Sequence, residues 1–260
     1  MDYEQITFEQ RDRVGLITLN RPQRLNAWTY RMSAELSHAI IQCNDDSSIG
    51  AVVVTGAGRG FCAGADIGDT FQTQIDGDRP DTGVERPDWV KLVRSAKPLV
   101  AAVNGASVGV GATMILPFDV IIASEQAKFA MGFIKMGLVP ELASSHFLVQ
   151  RMGFGRASEM CLSGRLYGAE EAFAMGLVDR LVPHEELLDE AVTLAASFAS
   201  NPTPQLRWVK ELLTQNGSDT DLDAVQRREL ELLSAAYKTP EHAEAVSAFL
   251  EKRQPNFDKT

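Results

Sequence analysis

The sequence predicts an α/β fold with a helical C-terminal region, and three observations support this class. Apolar strand-like runs, each followed by a glycine turn and a helical segment, recur through the first part of the chain. From about Gly153 onward the segments are helical. A chain of 260 residues is also long enough for one large domain and a smaller appendage. We therefore expect a core over residues 1–200 and a helical region over residues 201–260, which packs on the core or on a neighbouring subunit.

The N-terminal segments alternate between strand and helix patterns. Period-two alternation predicts an antiparallel strand pair in "ITFEQ" and "VGLITLN", joined at Arg11–Arg13. Buried strands are predicted in "GAVVVTGAG" and "PLVAAVNG", with further strands in "DVIIAS" and "AKFAM". Helical periodicity marks "TYRMSAELSHAIIQCNDD", and its buried face is expected to carry Met32, Leu36, Ala39, Ile40 and Cys43.

Two further stretches complete the predicted organisation. The segment Ile67–Asp88 is polar and acidic and contains both Gly and Pro, which predicts a long mobile surface loop. Helices are predicted in "AEEAFAMGLVDRLV", "EELLDEAVTLAASFAS", "PQLRWVKELLTQ", "DLDAVQRRELELLSAAYK" and "PEHAEAVSAFLEKRQ".

Composition excludes several classes of function. A net charge of −10 argues against a nucleic-acid or anionic-membrane partner, because phosphate binding needs a basic face. No apolar run approaches the length of a membrane span, and the first residues lack a signal-peptide pattern. The three cysteines are unclustered and fit reduced thiols, and the four histidines show no metal-ligand spacing. We expect a cytoplasmic protein without a metal site.

Two glycine-rich elements are candidate backbone sites. "VVVTGAGRGFCAGADI" fails the dinucleotide-binding spacing, because Phe61 stands where the third glycine belongs. Small residues at Ala63 and Ala65 would instead let a ligand approach the backbone closely. "VNGASVGVGATM" predicts a strand, a tight turn and a helix that begins at about Val110. N–H groups from the two elements could converge on one oxygen, as an oxyanion hole requires, although each element alone is equally typical of an ordinary tight turn.

A single carboxylate, Glu141, follows a proline in the apolar stretch "GLVPELASSHF". Proline at the first helical position with an acid in the first turn is a common helix start, which is one interpretation. The other is that Glu141 acts as an acid and base in catalysis. A helix N-terminus would lower its pKa and burial would raise it, so the residues alone leave the direction open.

Many segments, in order from Ile6 to Phe257, resemble the enoyl-CoA hydratase/isomerase (crotonase) superfamily. They are "NRPQRLNAW", "FCAGADI", "KPLVAAVNGASVGVGATM", "FDVIIASEQAKFAM", "GLVPE", "SGRLYGAEEAFAMGLVDRLVP" and "AFLEKRQPNF". The resemblance implies a crotonase-like spiral of ββα units with a C-terminal helical region, assembled as a trimer or a pair of trimers. It also implies acyl-CoA thioester substrates, with coenzyme A as part of the substrate and no separate cofactor.

The resemblance implies roles for individual residues. Backbone N–H groups of Ala65 and Val110 would hold the thioester enolate. The positions of the two hydratase glutamates fall on Thr113 and Phe133, neither of which can activate water, so these would be substrate-binding residues. The further substrate-binding residues implied are Arg24, Leu25, Ala63, Asp66 and Ile67, together with Phe249 and Lys252 from the C-terminal region of the same or a neighbouring subunit.

The position of Glu141 resembles that of the single acid in Δ3,Δ2-enoyl-CoA isomerases, because hydratases of the family commonly have glycine after this proline. The expected activity is therefore a double-bond shift with Glu141 as sole acid and base. Three alternatives stay open: a hydratase that uses Glu141 alone, a CoA-thioester hydrolase or decarboxylase with the same oxyanion hole, and a non-catalytic acyl-CoA-binding protein.

Overall fold

The computed structural model describes residues 2–68 and 87–257. Its strands are β1 (Ile6–Arg11), β2 (Val14–Leu19), β3 (Ala51–Gly56), β4 (Gly60–Cys62), β5 (Leu99–Val103), β6 (Ala106–Val108), β7 (Val120–Ser124), β8 (Lys128–Ala130), β9 (Tyr167–Gly168) and β10 (Arg180–Val182). Its α-helices are α1 (Tyr30–Asp45), α2 (Trp89–Ser95), α3 (Val110–Thr113), α4 (Ser144–Met152), α5 (Phe154–Ser163), α6 (Ala169–Met175), α7 (Leu187–Ala199), α8 (Thr203–Asn216), α9 (Leu222–Ala236) and α10 (Pro240–Leu250). Short 3₁₀ helices cover Pro22–Arg24, Gly132–Met136 and His184–Glu186.

The strands form two sheets that repeat one supersecondary unit. The larger sheet has the order β1-β2-β3-β5-β7-β10, in which β1 is antiparallel to β2 and the other pairs are parallel. The smaller sheet has the order β4-β6-β8-β9, with only β9 antiparallel to its neighbour among the described strands. From β3 to β8, each pair of consecutive strands sends its first strand to the larger sheet and its second to the smaller, whereas β9 joins the smaller sheet and β10 the larger. This recurrence is the predicted spiral of ββα units.

Strand β3 shows why the predicted buried strands are almost continuously apolar. Val52 and Val54 face a core that includes α1, whereas Ala51 and Val53 face a second core that includes α7. Both faces of a parallel sheet are covered, so alternate side chains are equally buried. The period-two pattern that a half-exposed strand would show is therefore absent from this strand.

Helix α1 confirms the predicted helix and its buried face. Met32, Leu36, Ala39, Ile40 and Cys43 are all buried. Thr29 caps the helix, because its side-chain oxygen accepts a hydrogen bond from the backbone N–H of Met32 at 3.0 Å.

An ion-pair cluster around Asp119 attaches α8, the first helix of the C-terminal region, to the core. Lys210 of α8 is buried, and its Nζ lies 2.8 Å from Oδ2 of Asp119. Arg94 of α2 approaches the other oxygen of the same carboxylate at 3.1 Å. The cluster fixes α8 beside α2, next to the start of β7.

The expectation of purely helical structure after Gly153 was wrong. Strand β9 pairs with β8, and β10 pairs in parallel with β7 at the edge of the larger sheet. Both strands are too short to show a period of their own, so only their tertiary partners reveal them.

The predicted loop Ile67–Asp88 falls largely outside the described residues. In the described part of this segment, Asp88 caps α2 by accepting a hydrogen bond from the backbone N–H of Lys91 at 3.0 Å.

Within residues 2–68 and 87–257, no helix is long and apolar enough to cross a membrane. In the same ranges, no group of three or more His, Cys, Asp or Glu residues is placed to hold a metal ion.

Candidate active site

The three predicted site elements follow neighbouring strands of the smaller sheet. Ala65 follows β4, Val110 follows β6, and the segment that carries Glu141 follows β8. These strands are parallel neighbours in the order β4-β6-β8, so their carboxyl ends meet at one edge of the sheet. The topology thus gathers residues that are far apart in sequence.

Hydrogen bonding on both sides of Ala65 determines where its N–H points. The backbone N–H of Trp28 donates to the carbonyl of Gly64 at 2.8 Å, and the N–H of Asp66 donates to the carbonyl of Trp28 at 2.8 Å. Because Gly64 and Asp66 both face Trp28, the N–H of Ala65 faces the other way. It is therefore a backbone donor directed away from the Trp28 segment.

Val110 supplies the second backbone donor as the first residue of α3. The N–H of a first helical residue has no partner within its own helix. The preceding residue, Gly109, turns the chain with φ 54° and ψ −122°, a conformation that is open to glycine and strained for other residues. The predicted helix start at about Val110 is confirmed.

Close backbone packing brings the two donor segments side by side. A Cβ placed on Gly64 would lie 3.4 Å from the carbonyl oxygen of Val108, so the Ala65 segment lies directly against the end of β6. A Cβ placed on Gly111 would overlap the carbonyl oxygen of Cys62. The two glycine-rich elements therefore form one adjoining pair, as an oxyanion hole requires.

Glu141 does not lie in the first turn of a helix, contrary to one of the two interpretations of its sequence. Helix α4 begins at Ser144, and Glu141 precedes it in a tight turn closed by the N–H of Ser144, which donates to the carbonyl of Glu141 at 3.0 Å. Leu142 and Ala143 both adopt left-handed conformations, with φ 55° and 54°. Non-glycine residues occupy this region at a cost, and such strain clusters at functional sites.

The surroundings of Glu141 settle the direction of its pKa. Its side chain reaches solvent, but the neighbouring protein desolvates the carboxyl group enough to raise its pKa above the ordinary glutamate value. A hydrogen bond with the Thr113 side chain opposes this rise without cancelling it. Glu141 takes part in no ion pair within the described part of the chain. A carboxyl group with a raised pKa is better suited to exchange protons near neutral pH.

Thr113 and Phe133 are the residues to which the resemblance assigns the positions of the hydratase glutamates. Thr113 is fully buried in α3, one turn after Val110. Phe133 lies in the 3₁₀ helix Gly132–Met136 and packs half-buried against the main core. Thr113 opposes the raised pKa of Glu141, whereas Phe133 contributes only an apolar surface.

The predicted coenzyme A contacts near β4 form one charged cluster. Asp66 is 4% exposed, and its carboxylate lies 3.3 Å from Arg24 and 3.0 Å from Arg21. Burial alone would raise the pKa of Asp66, but the two guanidinium groups outweigh it and hold that pKa below its usual value. Arg24 remains largely solvent-accessible, with 58% of its side chain exposed.

Arg21 was missed in the sequence, although it stands in the quoted segment "NRPQRLNAW". It orders the chain before α1, since its Nη1 also donates to the carbonyl of Ala27 at 2.6 Å. Three other predicted contacts lie nearby: the N–H of Ala63 donates to the carbonyl of Leu25 at 3.1 Å, and Ile67, which follows Asp66, is 68% exposed. The sequence around an arginine does not show which distant carboxylate it will contact, so only the fold reveals that Arg21 pairs with Asp66.

Phe249 and Lys252 are not brought to this edge of the sheet. Glu241 and Phe257, which flank them along the chain, line a cavity beside Asp12 and Arg13, in the turn between β1 and β2. That turn adjoins the amino end of β3, whereas the donors follow the carboxyl ends of β4 and β6. Phe249 is 82% exposed. The segment that carries Phe249 and Lys252 is thus flanked by residues that lie away from the donors of its own chain.

Comparisons with known proteins identify the family. The model for enoyl-CoA hydratase/isomerase matches residues 9–260. The chain belongs to the enoyl-CoA hydratase/isomerase family. A 1,2-epoxyphenylacetyl-CoA isomerase of Escherichia coli is 39% identical over 252 residues, which cover 94% of each protein. A 2,3-dehydroadipyl-CoA hydratase of the same organism is 34% identical, with 97% of this chain and 98% of that protein covered.

Solved structures of the family agree with the fold. The crystal structure of an enoyl-CoA hydratase from Bacillus anthracis matches with a TM-score of 0.87 at 28% identity, covering 99% of this chain and 100% of that one. The predicted family and the crotonase-like α/β fold are thus confirmed. The protein is an acyl-CoA enzyme of the hydratase/isomerase family.

Proposed function

We propose that the protein is an enoyl-CoA isomerase that shifts a Δ3 double bond to the Δ2 position, with Glu141 as the sole acid and base. The observation that carries this proposal is that Glu141 and the backbone donors Ala65 and Val110 follow neighbouring parallel strands, whose carboxyl ends meet at one edge of the smaller sheet. Desolvation also raises the pKa of the Glu141 carboxyl group. Coenzyme A is part of the substrate in this reaction, which needs no further cofactor.

The proposed reaction has two proton transfers. The carboxylate of Glu141 removes a proton from C2 of a 3-enoyl-CoA, and the electron pair left behind delocalises into the thioester carbonyl. The resulting dienolate oxygen accepts hydrogen bonds from the N–H groups of Ala65 and Val110. The protonated Glu141 then returns its proton to C4, and the double bond lies between C2 and C3. The reaction consumes no water and leaves Glu141 ionised for the next cycle.

The chemistry of the neighbouring side chains favours isomerisation over hydration. Hydration needs a group that activates water in addition to one that delivers a proton to carbon. Thr113 has no basic function at neutral pH, and Phe133 has none at any pH. A single carboxyl group suffices for a proton shift along one face of the acyl chain.

The 39% identity to a 1,2-epoxyphenylacetyl-CoA isomerase favours one second candidate. The name of that relative describes a rearrangement of an aryl-acetyl-CoA epoxide, which likewise adds no water. The same oxyanion pocket and single carboxylate could serve an acyl group of that kind. An aryl epoxide therefore belongs among the substrates to be offered.

The deciding experiment compares the wild-type protein with Glu141→Gln on 3-enoyl-CoA, 2-enoyl-CoA and 1,2-epoxyphenylacetyl-CoA. We expect the wild type to convert 3-enoyl-CoA to 2-enoyl-CoA and Glu141→Gln to lose about a thousandfold in kcat, since the amide cannot accept a proton. Product formation is followed by chromatography and ultraviolet absorbance. An unchanged melting temperature in Glu141→Gln separates loss of chemistry from loss of folding.

Other outcomes select the alternatives. Isomerisation that survives Glu141→Gln unchanged would remove the assigned role. Rapid hydration of 2-enoyl-CoA would restore the hydratase interpretation, and release of free coenzyme A would favour a hydrolase. Binding of acyl-CoA without turnover of any substrate would indicate a non-catalytic binding protein.

We also propose that the protein assembles as a homotrimer or a pair of trimers. The support is that Glu241 and Phe257, which flank Phe249 and Lys252 along the chain, line a cavity away from the donors of their own chain, and an assembly would bring this segment to a neighbouring site. Light scattering on the eluting protein measures the mass of the particle. A monomer in solution would contradict the proposal and would also remove both residues from the substrate contacts.

A further inference from the structure

Trp28 lies beside the first backbone donor of the candidate site. It pairs with Ala65 in a parallel bridge. Both backbone hydrogen bonds of Trp28 to this segment, at 2.8 Å each, go to the two residues that flank Ala65. Residues paired in this way project their side chains to the same face. Because paired segments are only about 4.8 Å apart, the indole of Trp28 stands next to the methyl group of Ala65.

The same indole packs toward the helix that carries the second donor. The rings of Trp28 and Trp89 meet edge-on, with their centres 6.5 Å apart and their planes at 77°. The indole N–H of Trp89 donates to the carbonyl of Met114, which caps the C-terminal end of α3, at 2.9 Å. Trp89 is buried, whereas Trp28 packs against the same core and is half-exposed. Trp28 thus lies between the Ala65 segment and a tryptophan that is fixed to α3.

The charged residues after β4 belong to the opposite face of this segment. Successive side chains of an extended segment alternate in direction, so Asp66 projects away from the face that Ala65 and Trp28 share. The Asp66 carboxylate pairs with Arg21 and Arg24. The phosphates of coenzyme A suit the face that carries the two arginines. The acyl group of the substrate suits the apolar face that carries the indole.

We propose that Trp28 is a specificity-determining residue, which forms an aromatic wall for the acyl group and favours acyl groups that contain an aromatic ring. This inference deepens the proposed function and rests on its use of Ala65 as a donor to the thioester oxygen. A thioester held at that N–H has its acyl group close to the neighbouring indole. A planar ring can stack on the indole or meet its edge, as Trp89 does, and gains an attraction that an alkyl chain lacks. The ring also loses less rotational freedom on binding than a flexible chain does.

The test measures the binding of phenylacetyl-CoA and hexanoyl-CoA, neither of which contains an alkene to be shifted, by isothermal titration calorimetry. Trp28→Leu keeps an apolar side chain and removes the ring. We expect this variant to bind phenylacetyl-CoA about five times more weakly than the wild type and hexanoyl-CoA within about twofold of it. Trp28→Phe keeps an aromatic ring and is expected to retain most of the preference.

A matched control is Trp208→Leu in α8. Trp208 is also half-buried, but α8 is attached to Asp119 at the start of β7, whereas the donors follow the carboxyl ends of β4 and β6. This variant measures the general cost of removing a half-buried tryptophan. It is expected to leave the ratio of the two affinities unchanged.

Tryptophan fluorescence gives a second readout that does not depend on the leucine variant. Phenylacetyl-CoA is expected to change the emission of the wild type and of Trp208→Phe, and most of this change is expected to disappear in Trp28→Phe. An undiminished change in Trp28→Phe would overturn the inference.

Two calorimetric results would also overturn it. An equal loss of affinity for both thioesters in Trp28→Leu would mean that Trp28 only supports the site. Unchanged binding of phenylacetyl-CoA would mean that the ring does not contact the acyl group. Either result leaves the proposed isomerisation by Glu141 intact. Conversely, since neither thioester is isomerised, a selective loss of phenylacetyl-CoA binding supports the role of Trp28 even if 3-enoyl-CoA proves not to be converted.

Discussion

The two halves of the candidate site are built in opposite ways. The oxyanion half consists of backbone N–H groups at Ala65 and Val110, held by close contacts between buried segments. The acid half is the side chain of Glu141, which lies on a solvent-facing turn. The next two residues, Leu142 and Ala143, adopt strained left-handed backbone conformations. The first half is determined by packing and the second by a local conformation.

This difference teaches how each half can fail. Most side-chain substitutions leave the backbone N–H groups of Ala65 and Val110 in place. These donors are lost only when a substitution forces the two segments that carry them to separate. The acid is lost by changing one functional group, and its position depends on the few dihedral angles of the turn that carries it. Substitutions in the two halves should therefore separate effects on folding from effects on proton transfer.

The largest expected effect comes from Gly111→Ala. The added Cβ would overlap the carbonyl oxygen of Cys62, so the segments that carry Ala65 and Val110 must separate. We expect kcat to fall by at least about a hundredfold, as for the loss of an oxyanion donor, together with a lower melting temperature. Steady-state kinetics and thermal unfolding measure both.

The matched control for this change is Gly155→Ala in α5. A Cβ there would meet no atom within 4 Å. The same substitution is expected to leave activity unchanged and to stabilise the helix by up to about 1 kcal/mol. Equal losses in the two variants would show that close packing does not build the oxyanion half.

A smaller effect, of opposite character, is expected from Ala143→Gly in the acid half. Glycine adopts the left-handed conformation of Ala143 without strain, so stability should rise by up to about 1 kcal/mol. At the same time kcat should fall by about threefold, because the turn holds Glu141 less rigidly. Denaturant unfolding and kinetics on one preparation give both numbers.

The contrasting substitution is Ala196→Gly, at an exposed position inside α7. There glycine should cost about 1 kcal/mol, because it weakens a regular helix. If Ala143→Gly were as destabilising as Ala196→Gly, the turn at Glu141 would not be strained.

The smallest expected effect is a displacement of the pH profile. Burial raises the pKa of Glu141, so its carboxylate is protonated, and inactive as a base, at a higher pH than an ordinary glutamate. As the pH decreases, the kcat/KM of the wild type should therefore fall with a midpoint above 4.5, the pKa of an unperturbed glutamate.

The oxyanion half contains only backbone groups, so residual activity in Gly111→Ala should show the same acid limb. A limb that moves in Gly111→Ala would mean that the two halves are coupled.

The elements predicted well are those whose own residues carry the pattern. Helix α1 has its buried face where its periodicity places it, and β3 has the apolar run of a strand covered on both sides. Among the elements missed were β9 and β10, which are short and exist because β8 and β7 offer open edges. The turn that holds Glu141 was not predicted, because Pro140 and an acid also begin many helices.

The sequence by itself determined the early buried strands, helix α1 and the two glycine-rich elements, because apolar periodicity and glycine placement are local requirements of backbone geometry. The family and its ββα order followed from the resemblance of many ordered segments. Tertiary structure alone decided that three segments meet at the carboxyl ends of β4, β6 and β8. It also decided the direction of the Glu141 pKa, because desolvation depends on every segment that packs around a charge and not on the residues beside it in the chain.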